Sequence, residues 1–365
     1  MLKTLCLSIA VLAMTIGLIP QAQAFTKDSL VWKKCTACHE PAGGKIPRVE
    51  EIRTTPEEWT VIVDRMSRLY GMDLNKKEMD TLLKELCSTQ ILTPDELDKV
   101  SYLNLLNNPQ TMENPVGAEQ GKMFTTCVRC HSAGKINSYR MNAASWPKVR
   151  DLHLYLYPTT VYQMREMKWV PEADAVLANL AKSHDYGQSW KAPADKPTGS
   201  WLILGYEPGK GEYRGQATIT SVGDDDYTVQ GSLAFTDGTS ENFRGDATLY
   251  GGHALRSRTA HNGLKTLGAF SFTNGTIKGE HHYPAPDFRT SSSTWYPAAG
   301  TPKLLKVSPG YLLTGEKTKL VLEGIKLPGA TAADIKFSGG SVKVLSVRRI
   351  GPEALEVMAV SSVNS

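Results

Sequence analysis

The chain has 365 residues, which is enough for two or three domains of ordinary size. Its 41% hydrophobic and 21% charged residues are typical of globular proteins and exclude wholesale disorder. With 41 Lys and Arg against 37 Asp and Glu, the net charge of +4 is too balanced for a nucleic-acid-binding arm or a polybasic membrane patch. Six cysteines are too few for a disulfide-dense scaffold.

The first 24 residues have the features of a secretory signal peptide. Lys3 supplies a positive start, Leu5 to Ile19 is apolar, and Ala22-Gln23-Ala24 is a small-x-small cleavage site before Phe25. The alternative is a membrane anchor, but the apolar run is short for a span and Pro20 ends it. We therefore expect an exported protein that is cut before Phe25 and has no membrane anchor.

Four of the remaining cysteines form two pairs with identical spacing, and each pair is followed directly by histidine. Cys-x-x-Cys-His is the attachment signature of c-type haem, in which two thiols form thioethers and the histidine becomes the proximal iron ligand. A thioredoxin-like redox pair or a four-thiol zinc site would not need histidine after both pairs. We predict two covalent haems, with His39 and His131 as proximal ligands. The segments are Cys35-Thr36-Ala37-Cys38-His39 and Cys127-Val128-Arg129-Cys130-His131.

A segment with the apolar periodicity of a helix follows each motif. Large or apolar residues recur at offsets 0, 3, 4, 7, 10 and 11, which lie on one helix face. Thr55 and Glu58 form a predicted capping box at the first helix, and Pro147 and Pro158 bound the second. The two series are Trp59, Ile62, Val63, Met66, Leu69, Tyr70 and Trp146, Val149, Arg150, His153, Leu156, Tyr157.

Because the two series have the same offsets, the segments that follow the two motifs are related as an internal repeat. Met66 in the first segment and His153 in the second are both at offset 7. Methionine and histidine both serve as axial ligands of haem iron. The alternative for a methionine on an apolar face is core packing, but the repeat favours ligation. Trp59 and Trp146, which start the series, are candidate cofactor-binding residues. Reserve ligands are Met72 and Met79 for the first haem, and Met164, Met167 and His184 for the second.

The haem-binding halves are predicted to span about 25–108 and 109–187 of an all-α domain. Asn75 caps a helix that reaches Cys87, with Glu78 as its box partner, and another helix follows Thr93-Pro94. Cys87 is expected to be a buried free thiol. Residues 188–200 contain Pro193, Pro197 and Gly199 among polar residues and are predicted to be a linker.

Beyond this linker the apolar period changes from 3.6 to 2. Every second residue from Tyr227 to Phe235 is apolar or glycine, and turn signals recur at Asp237-Gly238, Asn262-Gly263 and Asn274-Gly275. Roughly eight short strands joined by hairpins fit between Trp201 and Ala298. Residues 201–299 are therefore predicted to form an antiparallel barrel or sandwich, with the barrel as the first choice.

Residues 300–365 are predicted to form an immunoglobulin-like β-sandwich, because several short candidate strands follow one another. Five strands are fewer than the roughly seven of that fold, so we expect a small sandwich or a truncated product. The candidate strands are Lys303–Val307, Lys317–Glu323, Ile335–Ser338, Val342–Arg349 and Leu355–Val360.

The β region contains no recognisable catalytic constellation in its sequence. Asp224-Asp225-Asp226 is expected to be a solvated turn rather than a calcium site. His281 and His282 are adjacent on a predicted strand, where neighbours face opposite sides, so we do not expect them to share a metal.

Together these features resemble the α subunit of quinohaemoprotein amine dehydrogenase over essentially the whole mature chain. The first half contributes Trp59 and Arg65-Met66. The more particular matches are His153-Leu-Tyr-Leu-Tyr-Pro158-Thr159 and the glycine-rich start Trp201-Leu-Ile-Leu-Gly205-Tyr-x-Pro208-Gly209-x-Gly211-x-Tyr213-x-Gly215.

The resemblance implies a dihaem cytochrome c domain followed by β-barrel and β-sandwich domains. It also implies a periplasmic complex with a propeller-type β subunit and a small γ subunit that bears a cysteine tryptophylquinone. That quinone would oxidise primary amines, and the two haems would pass the electrons to a copper protein or a cytochrome c. The chain itself is then not expected to carry the amine-oxidising site.

Two other functions compete with this one. The first is a free-standing dihaem electron carrier with β modules for docking, although a simple shuttle has no use for so large a β region. The second is a haem peroxidase, which needs an iron with a vacant or displaceable position. Met66 and His153 would fill both irons and count against the peroxidase.

Overall fold

The fold is taken from a computed structural model that describes residues 25–100, 113–163, 165–187, 190–284, 288–338, 341–351 and 353–362. The predicted signal peptide at 1–24 and the reserve ligand Met164 lie outside the described residues. A helical region comes first, a closed barrel second and a smaller sheet last. None of the helices in the described ranges is both long and apolar enough to cross a membrane.

The helical region begins its helices where the sequence places caps. The hydroxyl of Thr55 accepts a hydrogen bond from the Glu58 amide, and Gly71 ends the same helix at φ 74°. Asn75 and Glu78 form the predicted capping box of the next helix. The described helices are α1 (Leu30–Cys35), α2 (Pro56–Tyr70), α3 (Lys76–Thr89), α4 (Pro94–Leu97), α5 (Gly117–Cys127), α6 (Ala133–Asn137), α7 (Trp146–Leu156), α8 (Thr159–Gln163) and α9 (Trp169–Ser183).

Each half of the helical region has its own hydrophobic core. Trp59 is buried in the first core with residues of α3, and Trp146 in the second with residues of α9. Two short strands, β1 (Ile52–Arg53) and β2 (Arg140–Met141), pair antiparallel and join the halves. The region is therefore helical as predicted, with this two-stranded ladder as a departure from an all-α fold.

The second region is a closed barrel of eight antiparallel strands, which selects the barrel over the sandwich. Residues 190–198 form neither helix nor strand, and the first barrel strand begins at Gly199, two residues before the predicted start. The strand order is β10-β3-β4-β5-β6-β7-β8-β9. The strands are β3 (Gly199–Glu207), β4 (Gly211–Gly223), β5 (Asp226–Phe235), β6 (Ser240–Tyr250), β7 (Ala254–His261), β8 (Leu264–Thr273), β9 (Thr276–His282) and β10 (Thr290–Pro297).

Alternating side chains fill the barrel interior. Aromatic residues such as Trp201, Phe270 and Trp295 belong to its core. Where the sheet curves, small residues are required: a Cβ at Gly231 would clash with the Gln216 carbonyl oxygen. The predicted Asn-Gly turns have the positive φ angles of tight hairpins, with 46° at Asn262, for example.

The last region forms a single antiparallel sheet of four strands in the order β11-β12-β14-β13. The predicted strand Ile335–Ser338 is wrong, because residues 335–338 form no ladder. Ile335 and Phe337 instead pack their side chains against the core of the sheet, which produced the alternation. The immunoglobulin-like sandwich is not confirmed, since a connecting segment covers the sheet where a second sheet was expected. The strands are β11 (Lys303–Ser308), β12 (Lys317–Ile325), β13 (Val342–Gly351) and β14 (Ala354–Ser361).

The helical region packs against the barrel through polar contacts and through Ala254 of β7, which belongs to the core of the first half. Glu57, in the first turn of α2, forms an ion pair with Arg256 of β7. The Nε2 atom of His253 lies 2.9 Å from the Leu92 carbonyl oxygen. Lys84 of α3 pairs with Asp226 at 2.7 Å, so the acidic turn contacts a helix and is not simply solvated. These contacts fix the start of α2 relative to the barrel.

We expect Arg256→Gln to lower the free energy of unfolding by about 3 kcal/mol, because it removes the guanidinium partner of a poorly exposed carboxylate. Burial by itself would raise the pKa of Glu57, but the charge and hydrogen bond of Arg256 lower it overall. The stabilisation is therefore present above the unfolded pKa of about 4.3 and is lost as pH falls through the folded pKa.

Chemical denaturation from pH 7 to pH 3 measures this loss. The difference between the two proteins should be largest near neutral pH and shrink in acid. Arg68→Gln is the matched control, because the Arg68–Asp64 pair is exposed (77% and 41%) and should contribute less than about 0.5 kcal/mol. Equal effects of the two substitutions would contradict the role of Arg256.

Candidate functional site

The second cysteine motif lies at the end of α5, and its histidine is oriented by the backbone. Cys127 is the last residue of α5, and the exposed Cys130 follows in a tight turn. Burial raises the pKa of the Cys127 thiol to about 11. The Nδ1 atom of His131 lies 3.1 Å from the Ser132 carbonyl oxygen. A histidine that donates from Nδ1 presents its Nε2 lone pair to a metal.

His153 on α7 faces His131 across a gap that fits one metal ion. The two ring centroids are 6.4 Å apart. An iron with both imidazole nitrogens about 2 Å away would separate the centroids by roughly 6 Å. The Nδ1 atom of His153 lies 2.7 Å from the Val149 carbonyl oxygen, so its Nε2 is also available.

The donor set around this gap suits an iron that is already held in a ring. Within the described ranges, no group of three or more His, Cys, Asp or Glu side chains could hold a metal ion. His131 and His153 offer two nitrogen donors, which is the number of ligands that a haem iron can take from a protein. All five cysteines in the described residues are free, so the four motif thiols are available for thioethers.

The first cysteine motif also begins at the last residue of a helix, but the structure gives no contact, within the residues that it describes, between its histidine and the predicted second ligand Met66. Cys35 ends α1, and its carbonyl oxygen accepts hydrogen bonds from the amides of Cys38 (3.2 Å) and His39 (2.9 Å). Burial and the charge of Arg48 lower the pKa of His39. Met66 is half-buried on α2. The pairing of His39 with Met66 stays a prediction.

The reserve ligands have other contacts in the structure. Met72 and Met79 pack against the core of the first half. Met167 packs against a small cluster around Trp169. The Nδ1 atom of His184 lies 2.8 Å from the Ser183 hydroxyl, and burial lowers the pKa of His184 to about 4. None of these contacts replaces the pairing of His131 with His153.

The two predicted tryptophans occupy equivalent positions in the repeat. Trp59 and Trp146 are each 2% exposed. The indole N–H of Trp59 donates to the Gln90 carbonyl oxygen at 2.6 Å, and that of Trp146 to the His184 carbonyl oxygen at 3.3 Å. Each indole therefore links the start of a helix that carries a candidate iron ligand, α2 or α7, to a later segment through a hydrogen bond. Direct contact with a cofactor stays a prediction for both.

The last turns of the two ligand helices expose apolar side chains. Leu69 and Tyr70 on α2 are 58% and 46% exposed, and Tyr157 after α7 is 54% exposed. Singly exposed apolar side chains are common on protein surfaces, so these residues by themselves do not mark a cofactor site.

Sequence reasoning missed a buried ionic cluster between the halves. Arg53 binds Glu96 through two hydrogen bonds of 2.8 and 3.2 Å, and Arg140 donates to the same carboxylate at 2.9 Å. Glu58 on α2 likewise binds Lys135 and Tyr139 of the second half. One sequence signal existed: Arg53 and Arg140 are separated by 87 residues, as are Met66 and His153.

The adjacent histidines His281 and His282 point to opposite faces of β9. His281 points into the barrel, where its ring lies 4.8 Å from that of His261. His282 is on the opposite face of β9, near Arg256 and Glu57 of the interface with the helices. The strand geometry thus separates the two side chains as predicted.

Comparison with known proteins matches two family models. Residues 25–190 match "Quinohemoprotein amine dehydrogenase A, alpha subunit, haem binding". Residues 194–289 match "Quinohemoprotein amine dehydrogenase, alpha subunit domain II". The comparison with curated proteins gives no significant match.

Solved structures similar to part of the chain are designed β-barrels. A redesigned barrel, mFAP1, bound to DFHBI is 14% identical and covers 27% of this chain and 93% of its own, with a TM-score of 0.25. A fluorescence-activating barrel from de novo design is 16% identical, with coverages of 27% and 92% and a TM-score of 0.24. TM-scores this low support no argument about the chain.

We expect acid–acetone extraction to leave the colour on the protein and the pyridine haemochrome assay to give two haems per chain, because thioethers survive extraction. Cys130→Ala should disturb attachment at the second motif and leave the first intact. The control is Cys87→Ala, which removes a buried free thiol outside both motifs and should keep two haems. Extractable haem in the native protein would contradict covalent attachment.

Proposed function

Since the chain belongs to the alpha-subunit family of quinohemoprotein amine dehydrogenase, we propose that it is the electron-transfer subunit of such an enzyme and carries two covalent haems. The observation that carries this proposal is the pair His131 and His153: the histidine of the second Cys-x-x-Cys-His motif lies with its ring centroid 6.4 Å from that of His153 on α7. The same helix and cysteine pattern occurs in the first half of the chain.

The residues of the second half would hold one haem. Cys127 and Cys130 would attach it covalently, and His131 and His153 would bind its iron. Both imidazoles direct Nδ1 at backbone carbonyl oxygens, which fixes their orientation and increases the basicity of Nε2. A bound haem c supplies reversible one-electron transfer. With two imidazole ligands from the protein on the iron, the site would favour electron transfer over substrate binding.

In the first half, Cys35 and Cys38 would attach the haem, and His39 and Met66 would be its axial ligands. A thioether ligand favours ferrous iron more than an imidazole does, so this haem should have the higher potential. Electrons would then come to rest at the His39 and Met66 haem before they leave the protein.

The donor and acceptor belong to other proteins in this proposal. A cysteine tryptophylquinone on a small γ subunit would oxidise primary amines, beside a propeller-type β subunit. A periplasmic copper protein or cytochrome c would accept the electrons. The predicted signal peptide would export the chain to the periplasm, where these partners would meet it.

Two alternatives remain open to experiment. A free-standing dihaem carrier is disfavoured, since the family match continues through residues 194–289 into domain II of the same subunit. A haem peroxidase is disfavoured by His153, which stands where the reactive position of a peroxidase would have to be open.

We expect Met66→His to lower the higher midpoint potential, to abolish the methionine-to-iron charge-transfer band and to slow reduction of the acceptor, with haem content unchanged. Optical redox titration measures the midpoints. His153→Met is the reciprocal variant and should raise the lower midpoint. If Met66→His leaves both midpoints where they were, Met66 is a packing residue and one of the reserve methionines is the ligand.

The haem-loaded chain alone should not be reduced by methylamine or longer primary amines, because the quinone is expected on a partner subunit. The haem absorption bands report this directly. Dithionite serves as the control that the haems can be reduced in the same sample. Reduction by amine without partner subunits would contradict the proposed division of labour.

A further inference from the structure

The ionic cluster between the two halves consists of Arg53, Glu96 and Arg140, and we call it the charge hub. Arg53 and Arg140 are directly opposite each other in the β1–β2 ladder. Glu96 receives hydrogen bonds from both guanidinium groups, at 2.8 and 3.2 Å from Arg53 and at 2.9 Å from Arg140. One carboxylate is thus shared by two arginines that face each other across the join.

The two arginines of the charge hub have the same sequence spacing to the two candidate iron ligands. Arg53 precedes Met66 by 13 residues, and Arg140 precedes His153 by 13 residues. Each arginine lies in the strand that leads into a ligand helix, β1 into α2 and β2 into α7. The local repeat therefore places one hub guanidinium before each sixth ligand.

The charge hub has an excess of one positive charge in a poorly solvated position. The Arg53 and Arg140 side chains are 2% and 13% exposed, and Glu96 is 22% exposed. Burial would raise the pKa of Glu96, but the hydrogen bond from Arg53 and the two guanidinium charges lower it to about 2. Glu96 is consequently ionised at neutral pH. Asp185 also interacts with Arg140, but it is exposed, and water screens its charge.

The charge hub lies between the hydrophobic cores on which the two motifs rest. Ile52, next to Arg53, packs against both cores. Cys35 packs against the first core and Cys127 against the second. The charge hub and both attachment cysteines thus adjoin the same two apolar cores, and a charge acts more strongly through an apolar interior than through water.

We propose that the charge hub sets the midpoint potentials of both haems together, with Arg53, Glu96 and Arg140 as positioning residues. This inference rests on the proposed function. Adding an electron to a haem makes it less positive by one unit, so a fixed positive charge nearby stabilises the reduced state and raises the potential. Since the charge hub contains an arginine from each half and carries one net positive charge, it shifts the two potentials in the same direction.

The experiment changes the hub charge in opposite directions in the haem-loaded full chain. Glu96→Gln increases the positive charge and should raise both midpoints, whereas Arg140→Gln decreases it and should lower both. Arg140→Lys keeps the charge and should keep the midpoints close to those of the native protein. Optical redox titration measures all of them, and the ligand bands in the same spectra report whether the axial ligands are retained.

A matched control separates the charge hub from a general effect of surface charge. Asp80→Asn removes one carboxylate from the exposed face of α3, the same change in charge as Glu96→Gln. It should shift the midpoints far less, because water screens the site. Shifts of Glu96→Gln and Arg140→Gln in the same direction, or shifts no larger than that of Asp80→Asn, would overturn the proposal.

Two further outcomes are decisive. Loss of haem from every hub variant would assign the charge hub to folding alone and would also overturn the proposal. Haem content of the native chain tests the proposed function separately: a chain without covalent haem contradicts that function, whereas two haems with potentials that ignore the hub charge contradict this inference alone.

Discussion

The arrangement of the helical region depends on the burial of one guanidinium group. Arg53 is 2% exposed and cannot lose its proton, so its donors must find acceptors inside the protein. They are the Glu96 carboxylate, the Ile91 carbonyl oxygen at 3.2 Å and the Tyr186 carbonyl oxygen at 2.8 Å. These acceptors come from α4, from the segment before it and from the segment after α9. One side chain therefore holds three distant parts of the chain together.

The start of α2 is fixed from two further directions. Glu57 pairs with Arg256 of the barrel, and Glu58 pairs with Lys135 of the second half at 2.6 Å. The other end of α2 stops at Gly71 and leaves Leu69 exposed. The helix that carries Met66 is thus anchored at its first turn, and the barrel supports that anchor through Arg256.

Features that depend on neighbouring residues could be predicted from the sequence, whereas those that depend on tertiary contacts could not. The caps of α2 and α3, the ligand-helix faces and the haem motifs are local patterns, and so are the hairpins of the barrel. The shared role of Glu96 requires residues from both halves, and no local pattern encodes it. The wrong strand prediction at Ile335–Ser338 has a similar cause. Ile335 and Phe337 pack against the sheet and so alternate with exposed residues, although their segment is not a strand of that sheet. The position of Met66 relative to His39 likewise depends on how α2 lies against the first motif.

The contacts of Arg53 also bear on how the protein is assembled during synthesis. Synthesis begins at the N-terminus. Glu96 follows Arg53 by 43 residues in the sequence, whereas Tyr186, whose carbonyl oxygen also binds Arg53, follows it by 133 residues. Contacts between residues far apart in the sequence slow folding, because the chain loses entropy before such contacts stabilise the fold. The first cysteine motif is then complete in sequence well before its half of the fold can close. Under the proposed function, the enzymes that attach haem would reach Cys35 and Cys38 in an open, partly folded segment, before the second half of the fold has formed.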